Sequence, residues 1–155
     1  MRTLLFALLL LPAQDDWRAT GRQGAVAAGG KEAVAAGIEI LKAGGNAADG
    51  AVATLLAQSV TDWDQFCFGG EVPLLVYSAK TGEVEVIAGC GVAPVLALGL
   101  TELPGRGLRS TLVPAALDAI LTLLERHGTR SFSACVAPAI RLLEDRKSTR
   151  LNSSH

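Results

Sequence analysis

Aromatic side chains are scarce in this 155-residue chain: two Trp, one Tyr and four Phe make up 5% of it. Charge is nearly balanced, with 14 Lys and Arg against 15 Asp and Glu and a formal net charge of −1. There is no basic stripe interleaved with aromatics, so the chain lacks the electrostatic footprint of a nucleic-acid binder. Three cysteines, Cys67, Cys90 and Cys135, lie far apart and outside any CxxC or Cys/His pattern. No metal site is expected from them. Their odd number allows one disulfide with a thiol left over, or buried free thiols throughout. Strings of the GxGxxG or GxxxxGK type are also missing, which removes the usual sequence signs of nucleotide binding. The apolar run Leu4–Pro12 falls well short of the roughly 20 residues needed to cross a bilayer, so no membrane span is expected.

What is present begins with an N-terminus built like an export signal. Arg2 precedes the apolar run, Ala13 offers a small residue for cleavage, and Asp15 and Asp16 follow. Residues 1–13 are expected to be a signal peptide and the protein to be exported, periplasmic or extracellular; the alternative is a frayed hydrophobic N-terminus. At the other end, residues 145–155 abandon the apolar periodicity that runs up to Leu143. That segment back-translates in one frame, without a mismatch, to a common sequencing-library adapter. It is expected to be an artefactual tail, leaving 14–144 as one partial domain. Setting aside Arg2 and the tail takes basic residues from 14 to 10 and acidic residues from 15 to 14, a net charge of about −4. Half of the chain is apolar and 17 residues are Gly, which suits tight packing rather than disorder.

The most informative string is Ala43-Gly44-Gly45-Asn46-Ala47-Ala48-Asp49-Gly50. Upstream, Lys31–Lys42 reads as a helix with Ala35, Ile38 and Leu41 inward and Glu32, Glu39 and Lys42 in water. Gly44 and Gly45 end it, because Gly adopts the left-handed conformation without steric penalty. Asn46 is a natural N-cap for a second helix reaching about Ser59, and Asp49 falls in its first turn. Rich in Ala, Val and Leu, that helix should be buried. The turn reads either as plain helix packing or as an anion cradle at a helix N-terminus.

Elsewhere, Gly24–Ala28 is suited to a buried strand, and Leu74–Tyr77 and Glu83–Ile87 flank Lys80-Thr81-Gly82 as a hairpin. Residues 89–107 read as irregular, punctuated by Pro94 and Pro104. Pro114 opens a helix with Leu117, Ile120, Leu121 and Leu124 on one face; Gly128 ends it, and His127 sits in its last turn as a dipole-complementing cation or, alternatively, a base. Ser131 or Ser133 caps a final helix carrying Val136, Ile140 and Leu143. Helices on an antiparallel sheet, an α+β arrangement, are the expected architecture.

Several strings together give the chain a family likeness. They are Ala36–Asp49, Gly69-Gly70 before Leu75-Val76-Tyr77, Ala79–Gly82, Ala93-Pro94, Arg126–Thr129 and Pro138–Ile140. On these residues, 24–144 resembles the N-terminal part of the gamma-glutamyltranspeptidase family. The resemblance implies an incomplete N-terminal fragment of an αββα N-terminal-nucleophile (Ntn) hydrolase sandwich. It implies an exported precursor that cleaves itself into two subunits. The new N-terminal Thr of the small subunit attacks a γ-glutamyl amide with its own α-amino group as base, so no cofactor is implied. That Thr lies downstream, and Thr54, Thr61 and Thr129 read as ordinary helix, loop and cap residues. The implied partners are a small-molecule γ-glutamyl or acyl-amide substrate and the missing small subunit of the same precursor.

One departure touches the substrate. Many members carry Gly-Arg-Glu-x-Ala-Pro where this chain has Gly89-Cys90-Gly91-Val92-Ala93-Pro94. Cys90 therefore stands at the position of the family's carboxylate-binding Arg, and a thiol cannot offer the paired hydrogen bonds of a guanidinium. Either Arg106 or Arg109 takes over, or the acyl group is not a free γ-glutamyl, as in an acylase or amidase. Two further readings are Cys90 as a nucleophile and a noncatalytic binding relative of the same fold. The Cys67–Glu71 string also departs from the family's more Gly-rich loop.

Overall fold

The computed structural model describes residues 18–102 and 105–152, with side chains to 146. The expected signal peptide, 1–13, lies outside the described residues. Six principal elements follow in order: α1 (Lys31–Lys42), α2 (Ala47–Thr61), β1 (Leu74–Ser78), β2 (Glu83–Ile87), α3 (Ala116–His127) and α4 (Phe132–Asn152). Short 3-10 turns occupy Val95–Gly99 and Leu108–Ser110.

α2 is the centre of the molecule. Ala48, Asp49, Gly50, Val52, Ala53, Thr54, Leu56 and Ala57 are all buried, so nearly every face of the helix meets protein. Its neighbour α1 presents Ala33, Ala36, Gly37 and Ile40, while Ala35 is exposed. The inward face is thus rotated from the one expected around Ala35 and Ile38. The reason is close approach: a Cβ on Gly37 would sit 2.2 Å from the Thr54 hydroxyl oxygen and 3.1 Å from the Gly50 carbonyl. Small residues at the crossing let the two backbones meet.

α3 and α4 match their expected faces in part, with Ile120, Leu124 and Val136 joining the core. In α3 the buried residues are Ala116, Ala119, Ile120 and Leu123, and Leu117 and Leu121 are exposed. The helix begins at Ala116, two residues later than an opening at Pro114. In α4, Cys135 and Ala139 are buried, whereas Ile140 and Leu143 are exposed. Ser131 caps α4 through its hydroxyl, which accepts from the Ala134 N–H at 3.2 Å. The helix runs on to Asn152, so no break in secondary structure marks residue 145.

β1 and β2 form a two-stranded antiparallel sheet with Leu74 opposite Ile87, Val76 opposite Glu85 and Ser78 opposite Glu83. Gly82 supplies the positive φ of the turn, at 72°. Ile87, Leu74 and Val76 join the main core with Val52, Leu56, Phe66, Ile120, Leu123 and Cys135. The opposite face carries Leu75, Tyr77, Val84 and Val86, all exposed. Gly24–Ala28 is not a strand. With the only described sheet confined to β1 and β2, its backbone has no strand to pair with, and its residues are exposed or half-buried.

Candidate functional site

The Gly44–Asp49 turn is built as expected and then used in a way the local sequence does not show. Gly44 takes φ 82° and closes α1, its N–H donating to the Leu41 carbonyl at 3.0 Å. Asn46 and Asp49 form a reciprocal capping box: the Asn46 side chain accepts from the Asp49 N–H at 3.1 Å, and the Asp49 carboxylate accepts from the Asn46 N–H at 2.8 Å. That carboxylate also accepts from the Thr129 N–H at 2.9 Å, the Arg130 N–H at 3.0 Å and the Thr129 hydroxyl at 2.7 Å. Asn46 meanwhile donates its amide to the His127 carbonyl at 2.6 Å. The turn therefore ties α1 and α2 to the α3–α4 connection, some 80 residues away along the chain.

Asp49 is fully buried. Burial pushes its carboxyl pKa up. The Thr129 hydroxyl and the N–H groups of Asn46, Arg130 and Thr129 outweigh that, and hold it below its ordinary value. This settles the choice left by the sequence. The first turn of α2 already holds its own carboxylate, so a second anion there would meet a charge of the same sign. The turn is scaffold.

A second polar group lies where α3 meets the hairpin. Glu85, on the inward side of β2, receives the Arg126 guanidinium, and His127 Nε2 lies 2.8 Å from its other oxygen. Arg126 first, then His127, lower the Glu85 pKa through their hydrogen bonds. His127 is thus engaged through both its ring and its backbone carbonyl.

Cys90 is exposed on the segment that leaves β2. Gly89 before it is pinned: its carbonyl accepts from the Val72 N–H at 2.9 Å, and a Cβ there would meet Ala119 at 2.7 Å. After it, Val92 pairs with Val113, which brings the stretch following Arg109 back alongside the one carrying Cys90. Arg106 and Arg109 are both exposed. Gly69, Gly70 and Glu71 face Gly91 and Thr111–Pro114 across a cleft of about 420 Å³. Cys67 is exposed at the start of that Gly-Gly loop, whereas Cys135 is buried in the core, its thiol pKa raised by burial and by the Asp49 charge. Among the described residues, no group of three or more His, Cys, Asp or Glu could hold a metal ion, and no helix is long and apolar enough to cross a membrane.

The family model for gamma-glutamyltranspeptidase matches residues 33–146, well over half of the chain. The chain belongs to the gamma-glutamyltranspeptidase family. The glutathione hydrolase proenzyme of Bacillus subtilis is 32% identical over 136 residues, which cover 80% of this chain and 23% of that protein. This transpeptidase-family chain thus spans less than a quarter of such relatives. Among solved structures, the gamma-glutamyltranspeptidase of Helicobacter pylori superposes with a TM-score of 0.69 at 23% identity, covering 81% of this chain and 38% of that one. The cephalosporin acylase of Bacillus halodurans reaches 0.66 at 32% identity, covering 88% and 28%. The fold is accordingly α+β and forms part of the Ntn-hydrolase architecture of the family.

Cys90, Arg106 and Arg109 stand as candidates on the family pattern alone. The fourfold acceptor role of Asp49 was not legible in the sequence. Its partners Thr129 and Arg130 are distant in sequence, and no local pattern announces a long-range hydrogen bond.

Proposed function

We propose that this chain is the N-terminal large-subunit segment of a self-processing amide hydrolase or acyltransferase. It acts on γ-glutamyl or related acyl-amide bonds, and the nucleophile is a downstream N-terminal Thr. The carrying observation is the family match over 33–146, supported by relatives named glutathione hydrolase proenzyme. On this reading the segment supplies the scaffold around α2, and the small subunit of the same precursor supplies the chemistry. The Thr attacks the acyl carbon, its α-amino group takes the hydroxyl proton, and the amine leaves. Water or a second amine then releases the acyl group. Export through residues 1–13 belongs to the same proposal.

The test is to assay the complete precursor on a γ-glutamyl anilide and on a series of other acyl anilides. Release of the aniline from at least one donor is expected. A matured protein that binds such donors and cleaves none would favour a noncatalytic relative instead.

A second reading concerns acyl specificity. A thiol at position 90 cannot clamp a carboxylate, and the 32% identity to a cephalosporin acylase supports a donor other than free γ-glutamyl. The Val92–Val113 pairing brings the stretch after Arg109 back toward the one carrying Cys90, which supports Arg109 over Arg106 as the replacement cation. If so, Arg109→Ala lowers kcat/KM for a γ-glutamyl donor by about tenfold or more, the loss of one charged hydrogen bond. An unchanged value removes Arg109 from that role and leaves Arg106 or a different acyl group. Full activity in Cys90→Ala would remove Cys90 as a nucleophile.

A further inference from the structure

We propose that Cys67 and Cys90 are a redox pair that closes to an intramolecular disulfide, leaving Cys135 as the reduced thiol. Three arguments converge on this pairing. The hairpin hydrogen bonding continues past β1 and β2, since the Val72 N–H donates to the Gly89 carbonyl at 2.9 Å. Beyond that bond, Glu71 and Cys90 are the next residues of the two segments. Next, the chain folds back at Cys67, whose carbonyl accepts from the Gly70 N–H at 3.0 Å. That turn keeps Cys67 close to Gly70 instead of four extended residues away. Finally, Gly69, Gly70 and Glu71 line one wall of the 420 Å³ cleft and Gly91 lines the other, leaving open space between the two loops.

Accessibility points the same way. Cys67 and Cys90 are exposed, whereas Cys135, on α4, is fully buried in the main core. A small oxidant can reach the first two without opening the core. With a small-molecule disulfide such as glutathione disulfide, one cysteine thiolate attacks a sulfur and expels one small thiol, giving a mixed disulfide. The other thiolate then attacks the protein sulfur and expels the second small thiol. The two protein protons end on the two released thiols, so the step balances with the oxidant reduced. Both are free thiols in the structure, and closure brings the Cys67–Gly70 turn toward Cys90. The segment 89–92 is held by its backbone bonds to Val72 and Val113.

Trypsin separates the three thiols into peptides 43–80, 81–106 and 131–141, which makes the assignment direct. The complete precursor is incubated with glutathione disulfide, alkylated and digested without reduction. The expected product is a covalent 43–80/81–106 species, with 131–141 alkylated only after denaturation. In guanidinium the same oxidation should lose this preference, and in the folded Cys67→Ser protein the cross-linked species should be gone. The proposal is overturned if 43–80 and 81–106 each carry glutathione without linking, if either links to 131–141, or if the bond joins two molecules. None of these outcomes depends on export or on catalytic activity.

Discussion

Three backbone N–H groups and one hydroxyl converge on the Asp49 carboxylate, from its own capping box and from Thr129 and Arg130. An Asn at position 49 would turn its NH2 toward groups that are themselves donors, leaving buried polar atoms unpaired. Asp49→Asn should therefore destabilise the mature protein by about 2–4 kcal/mol, read from the midpoint of chemical unfolding. Thr129→Val removes only the hydroxyl donor and should cost about 1 kcal/mol. Against burial, the Thr129 hydroxyl and the converging N–H groups hold the folded Asp49 carboxyl below its ordinary value of 3.8. Its stabilisation is therefore complete above about pH 4 and is lost as pH falls through the lower folded pKa. Unfolding followed from pH 7 downward should show the gap between wild type and Asp49→Asn steady to about pH 4 and shrinking below. A gap that widens with acid would contradict the assignment.

The helices show what sequence periodicity can and cannot give. Their existence and order were legible: Gly44, the Asn46 cap, Gly128 and Ser131 mark ends by local chemistry. The hairpin was legible too, from alternation around Lys80-Thr81-Gly82. Which face turns inward was legible only in part: Ile120 and Leu124 of the expected α3 face and Val136 of α4 do join the core. Periodicity points to the largest apolar side chains, such as Leu117, Leu121, Ile140 and Leu143, yet these are exposed. Small residues turn inward in α1 and α4, among them Ala33, Ala36, Gly37, Cys135 and Ala139, and in α3 Ala116 and Ala119 are buried beside Ile120 and Leu123. Gly37→Ala is the test at this scale. In a free helix Ala is favoured over Gly by about 1 kcal/mol. Here the added methyl meets Thr54 and Gly50, and a net loss of about 1–3 kcal/mol is expected. Gly99→Ala, where a Cβ would meet nothing within 4 Å, should change stability by less than about 0.5 kcal/mol.

Across the molecule, one side is finished and the other is not covered. The core joins α2, α3, α4 and the inner face of the hairpin, whereas Leu75, Tyr77, Val84 and Val86 leave an apolar sheet face in water. A two-stranded sheet is marginal alone and gains stability when its apolar face is packed. Purified 14–144 should therefore show no cooperative thermal transition, and a sharp one would count against the account. What the sequence could not carry at this scale is the catalytic site itself, since the Thr and its surroundings belong to the proposed small subunit. The central claim is that this scaffold belongs to a precursor that cuts itself ahead of a nucleophilic Thr. N-terminal sequencing of the small chain from the matured complete protein tests it most directly. Thr at the first cycle, with loss of both cleavage and amide hydrolysis when that Thr is changed to Ala, is the predicted result. A precursor that stays intact, or a new N-terminus that is not Thr, would contradict it.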